Sequence, residues 1–120
     1  MKFLLTYQQN PNAAPPSPAQ MAAIGKFTQE NIANGTVVMT GGLVRPTRGV
    51  KVKCEGGNFT ATDGPFAETK ELIDGFALVN AASKEAAIAI AESFMRIAGD
   101  GTGEILQWFD QADMQGPPNS

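Results

Sequence analysis

The sequence predicts an α+β fold, a βαββαβ chain with one inserted β-hairpin, and three observations predict it. Strand-like runs of alternating or doubly apolar residues recur at Lys2 to Tyr7, Thr36 to Thr40, Leu72 to Ala81 and Glu104 to Asp110. Two stretches with apolar residues at helical spacing, one after Ser17 and one after Ser83, lie within the first and the third gap between those runs. In the middle gap, Gly56-Gly57 sits between two short alternating runs, the mark of a tight hairpin.

Each element has its own local cause. Lys2 to Tyr7 puts Phe3, Leu5 and Tyr7 on one face and has strand length. Residues 8–18, rich in Gln, Asn and Pro, form an irregular loop. Ser17-Pro18-Ala19-Gln20 then opens a helix: Ser17 caps it, Pro18 suits the first helical position, and Gln20 completes a capping box. Met21, Ile24, Thr28 and Ile32 make its inner stripe with Phe27 on the margin, and Asn34-Gly35 supplies a left-handed stop. Thr36 to Thr40 is β-rich and ends at Gly41-Gly42.

A two-residue loop at Gly56 and Gly57 sets the hairpin register. Cys54 then faces Phe59, Val52 faces Ala61 and Val50 faces Asp63, while Lys51 and Lys53 lie opposite Thr62 and Thr60 on the other side. On this register Cys54 reads as a small buried hydrophobe, and Asp63 stands at the end of an apolar face. Leu72 to Ala81 is apolar on both faces, as an interior strand requires. Ser83 caps the second helix with Glu85 against its N-terminal dipole. Ala87, Ile90, Ala91, Phe94, Ile97 and Ala98 form the inner stripe of that helix, and Gly99 ends it. Glu104 to Asp110 closes the fold, with Trp108 and Phe109 reading as core or dimer surface. One domain over residues 1–110 is expected, followed by a loose tail over 111–120.

Without the hairpin this order is the split βαβ, or ferredoxin-like, plan, with both helices on one face of the sheet. The strands carry apolar residues on the other face too: Leu4 beside Phe3 and Leu5, and Phe76 and Leu78 alternating with Ala77 and Val79. Something has to cover that face. In a chain of 120 residues a second copy is the economical answer, so a homodimer is expected.

Composition narrows the function. A net charge of −3 with nine scattered Lys and Arg argues against nucleic acid. The N-terminal apolar run is too short for a signal peptide and nothing approaches a membrane span, so a cytoplasmic protein without membrane contact is expected. Cys54 is the only cysteine, which excludes an internal disulfide and suits a reducing compartment. Histidine is absent, which removes the commonest general base and metal ligand and every Ser–His or Cys–His pair. No metal and no cofactor are expected.

The densest chemistry lies in Asp63-Gly64-Pro65-Phe66-Ala67-Glu68-Thr69-Lys70-Glu71, which joins a turn former, a rigid ring, an aromatic anchor and four charges. Two readings stand for Asp63: a desolvated carboxyl for proton transfer, or a turn cap that accepts backbone N–H groups. Glu68 is a second candidate carboxylate, or part of a solvated charged turn. Arg45 and Arg48 can hold a carboxylate or phosphate bidentately, or serve as a solvated loop or an ion pair with Asp63 or Glu68. Phe66 is a core plug beneath the loop or a pocket wall. Tyr7 is a core tyrosine or offers its hydroxyl to a cleft.

This run resembles the signature of the YCII-related, or DGPF-domain, family of small bacterial proteins. The resemblance extends through Met1-Lys2-Phe3-Leu4-Leu5, Gly41-Gly42-Leu43, the Gly56-Gly57 hairpin, and Glu71-Leu72-Ile73-Asp74-Gly75-Phe76 leading into Ser83-Lys84-Glu85-Ala86-Ala87. It implies a dimeric α/β-barrel in which two ferredoxin-like sheets close face to face. Some YCII-type relatives use a His–Asp pair for acid–base chemistry, which does not carry over to a chain without histidine. The wider superfamily holds small isomerases, dehydratases and oxygenases that work without a tightly held cofactor. Many DGPF genes accompany sigma factors of the extracytoplasmic-function type, which implies a regulatory or stress context.

Together these readings give an expected homodimer with one pocket per subunit, between the sheet and the 63–71 loop. Asp63 and Glu68 are its acid–base candidates, Arg45 and Arg48 hold a small anionic substrate, and the reaction is isomerisation or elimination. The rival is a non-catalytic ligand-sensing or interaction module. A third reading gives the loop a packing role alone.

Overall fold

The computed structural model describes residues 1–10, 14–43, 49–63 and 74–110. Along them run β1 (Lys2–Gln9), α1 (Pro18–Ala33), β2 (Val37–Gly42), β3 (Val50–Glu55), β4 (Asn58–Asp63), β5 (Gly75–Asn80), α2 (Lys84–Ala98) and β6 (Gly101–Trp108). Four strands form one antiparallel sheet in the order β2-β5-β1-β6, and β3 with β4 form a separate hairpin. The architecture is α+β and compatible with the ferredoxin-like plan. The expected tail over 111–120 lies outside the described residues, as do Leu72 and Ile73 of the expected third long strand.

The alternation in β1 decides what each face does. Phe3, Leu5, Val37 and Val79 turn toward the helices and pack with Ala81 and Ala87 into the buried core, flanked by Ile90, Ala91 and Ile105. Burying a side chain of this size is worth about 1.5–3 kcal/mol. On the opposite face Met39, Leu78, Leu4 and Leu106 stand directly across from one another over all four strands. This band is open at its margins, where Met39 is 53% and Leu106 50% exposed.

Several local devices match the sequence. The Ser17 hydroxyl accepts from the Gln20 backbone N–H at 3.1 Å, and the Ser83 hydroxyl accepts from Ala86 N–H at 3.1 Å. Gly35 takes a φ of +84°, and Gly56 and Gly57 take +58° and +84°. Such angles favour glycine and fit the mirror-image turn that joins tightly paired strands. The hairpin register pairs Cys54 with Phe59, Val52 with Ala61 and Val50 with Asp63, as expected.

Other expectations need correction. The Gln20 side chain does not complete a capping box. Its amide donates to the carbonyls of Ile97 at 2.9 Å and Ala98 at 3.0 Å, tying the start of α1 to the end of α2. The half-buried side of α1 is Ile24, Phe27, Thr28 and Asn31, so Phe27 lies on the stripe while Met21 and Ile32 are exposed. Cys54 is exposed and Phe59 is 73% exposed, because the hairpin stands apart from the core. Trp108 and Phe109 are likewise exposed and not core. The last strand starts at Gly101, since Gly101 and Thr102 pair with Gln9 and Gln8 of a β1 that runs two residues past Tyr7.

Candidate functional site

The candidate site arises where the helix-facing side of the sheet runs out of side chains. Tyr7 pairs with Gly75 on one neighbouring strand and Gly103 on the other, and Gly75 pairs with Gly42 on the next. Tyr7 is therefore the one side chain in its row, with bare backbone on both sides. A cavity of about 680 Å³ opens above this row. Leu5, Tyr7 and Ile105 belong to its floor, Ile24 and Phe27 of α1 to its roof, and Phe94 of α2 to its wall. Volumes of this order hold small ligands.

α1 makes a thin roof, because none of its residues is fully buried. Its attachment runs through the Gln20 amide at one end and an aromatic relay in the middle. Phe27 and Phe94 have ring centroids 6.3 Å apart, and Tyr7 meets Phe94 edge-on at 5.3 Å and 81°. Tyr7 is itself anchored: its hydroxyl lies 3.1 Å from the Gly99 carbonyl and 3.2 Å from that of Asp100. Burial raises the phenol pKa above its ordinary value, and the nearby carboxylates of Asp74 and Asp100 raise it further.

Asp74 forms the polar corner of the rim. Its backbone N–H donates to the Tyr7 carbonyl at 2.7 Å, and its carboxylate accepts from Gln9 N–H at 2.7 Å. Its own carbonyl accepts from Leu43 N–H at 2.8 Å. Leu43 follows the end of β2 and Asp74 precedes β5, so this hydrogen bond ties the exit of one strand to the entry of the other. Gly42, Asp74 and Gly75 beside that bond also line the cavity. The charged residues among its described lining are acidic: Asp74, Glu92 and Glu104.

The candidates named from the sequence divide clearly. Tyr7 lines the cavity. Asp63 is the exposed last residue of β4, opposite Val50 at the open end of the hairpin, and is not among the cavity-lining residues. Arg45, Arg48, Phe66 and Glu68 lie outside the described residues. Sequence reasoning missed Asp74, Gln20 and the glycine row. The Asp74-Gly75 pair at the start of an apolar strand was the available signal for the first. Among the described residues no group of three or more His, Cys, Asp or Glu side chains is placed to hold a metal ion.

A family model for the YCII-related domain matches residues 1–109. The chain belongs to the YCII-related family. The match spans every described element, both the four-stranded sheet and the hairpin. Among curated proteins none matches this chain. In this YCII-related protein, no helix among the described residues is long and apolar enough to cross a membrane.

Proposed function

We propose that this YCII-related protein is a homodimer that binds one small molecule per protomer in the cavity over Tyr7. The ligand would have an apolar body and an anionic end. One observation carries the reading: the Leu43–Asp74 hydrogen bond, at the cavity rim, joins the two residues that bracket the DGPF-type run in the sequence. Val50 opposes Asp63 at the open end of the hairpin. The described charged lining is acidic, and on this reading Arg45 and Arg48 supply the positive charge for an anion.

On this reading Asp63 and Glu68 exchange protons with the bound molecule in an isomerisation or elimination, with Tyr7 and Phe66 as walls. The dimer closes through the Met39–Leu78–Leu4–Leu106 bands, an apolar area of the kind that marks interaction surfaces. The lone Cys54 supports a reducing, cytoplasmic setting.

A second reading, a ligand sensor without catalysis in a regulatory or stress system, is favoured by the position of Asp63. That carboxylate is exposed and outside the cavity lining.

Binding of 1-anilinonaphthalene-8-sulfonate, an aromatic sulfonate, tests the site by fluorescence. One probe per protomer is expected, lost in the cavity-filling Ile24→Trp. Arg45→Ala with Arg48→Ala should weaken it about tenfold and leave the neutral N-phenyl-1-naphthylamine unchanged. Sulfonate binding unchanged from the wild type in that variant removes the arginines from the site. Deuterium wash-out from C3 of 2-oxo acids, lost in Asp63→Asn while binding persists, would mark acid–base chemistry. Binding without exchange leaves the sensor.

A further inference from the structure

The hairpin poses a separate physical problem. All residues of β3 and β4 are exposed, and one face carries Val50, Val52 and Cys54 opposite Asp63, Ala61 and Phe59. Val52 is 68% and Phe59 73% exposed. The other face carries Lys51 and Lys53 opposite Thr62 and Thr60. This is an amphipathic ribbon, and a two-stranded ribbon alone in water is marginal at best. It needs a surface to lie on.

We infer that the hairpin is an arm whose apolar face lies on the second protomer of the dimer. The inference rests on the face-to-face dimer proposed above. Area selects the second copy as occupant. Four strands spaced about 4.8 Å, with six to eight residues rising about 3.3 Å each, give the open sheet face a footprint of roughly 450 Å². A stable interface needs roughly 800 Å² per partner. One face of the arm covers roughly 200 Å² by the same dimensions. Each protomer buries that area on its own arm and a like area under the partner's arm, which adds roughly 400 Å² and closes the gap. Lys51 and Lys53 then face water.

Sedimentation velocity of the full chain over a concentration series, with thiol reactivity of Cys54 as second readout, tests the arm. The wild type should be a dimer, and Leu106→Glu on the sheet band a monomer. Val52→Glu with Phe59→Glu should raise the dimer dissociation constant at least about tenfold. Cys54 should react with a maleimide at least about tenfold more slowly in the wild-type dimer than in the Leu106→Glu monomer, or in wild type diluted until it dissociates. The dilution arm needs no variant to fold. A wild-type dimer whose Cys54 reacts as fast as in the monomer overturns the arm and leaves the face-to-face dimer standing. So does a folded arm variant with wild-type dissociation constant. A wild-type monomer at all concentrations overturns both.

Discussion

Tyr7 stands edge-on to Phe94, with its hydroxyl between the carbonyls of Gly99 and Asp100. An edge-to-face aromatic pair contributes about 0.5–1.5 kcal/mol beyond its buried area. The contact fixes the floor of the cavity to the end of α2. It also makes the phenol harder to ionise, through burial first and then the charges of Asp74 and Asp100.

This is directly measurable, because Tyr7 is the only tyrosine. Absorbance at 295 nm should titrate in one step with a midpoint above 10.0 in the folded protein. The folded pKa is raised, so the stabilisation it represents is complete below the unfolded value. It is lost as pH climbs from that value through the folded one. Tyr7→Phe should remove the step and leave the protein less sensitive to alkali. A midpoint at or below the ordinary tyrosine value would contradict the burial.

Gln20 should matter more than an exposed polar residue ordinarily does. Its amide donates to two carbonyls at the end of α2. Gln20→Ala should lose about 1–2 kcal/mol in urea unfolding. Gln20→Glu should lose still more, since a carboxylate cannot donate and sets negative charge against the C-terminal end of the helix dipole. Equal stabilities for the wild type and Gln20→Glu would dismiss the tether.

Two glycines should respond with opposite sign. A Cβ on Gly25, inside α1, meets nothing within 4 Å. Gly25→Ala should stabilise by about 0.5–1 kcal/mol through helix propensity. A Cβ on Gly101 would sit 2.5 Å from the Gln8 carbonyl oxygen and 2.7 Å from the Tyr7 ring. Gly101→Ala should destabilise by about 1–3 kcal/mol. Thermal melts of the two variants settle both signs.

Trp108 reports on a third site. Its indole N–H donates to Asp110 at 3.0 Å, and Lys2 donates to the other carboxylate oxygen at 2.9 Å. These two hydrogen bonds, Lys2 first, hold the Asp110 pKa below its usual 3.8. The folded pKa is depressed, so the small stabilisation is present above the ordinary value and lost as pH falls through the lowered one. Fluorescence of this sole tryptophan should show an acid transition below that of a free aspartate, and Lys2→Met should move it upward. An unmoved transition would detach Lys2 from it.

Local grammar was legible in the sequence. Cys54 opposite Phe59, the hydroxyl caps at Ser17 and Ser83, and the left-handed Gly35 all follow from neighbours within a few residues. What lies against a face was not. Alternation paired Cys54 correctly and then called it buried, although nothing in a strand's period says whether a core lies beneath it. The reach of Gln20 to Ala98 spans most of the chain and left no local mark. The hollow above Tyr7 needs Gly42, Gly75 and Gly103 in one row, and they meet only through the strand order. Of the site residues, Tyr7 was legible as a strand aromatic, whereas Asp74 passed as part of a turn.

The Leu43–Asp74 hydrogen bond has a consequence for the length of chain it closes. When the two ends of an insert are already stapled side by side, lengthening it costs only a slow logarithmic loss of chain freedom. The four strands need no retuning when that length changes. A change in the length of chain between those two anchor points should therefore leave the four-stranded platform beneath as it is.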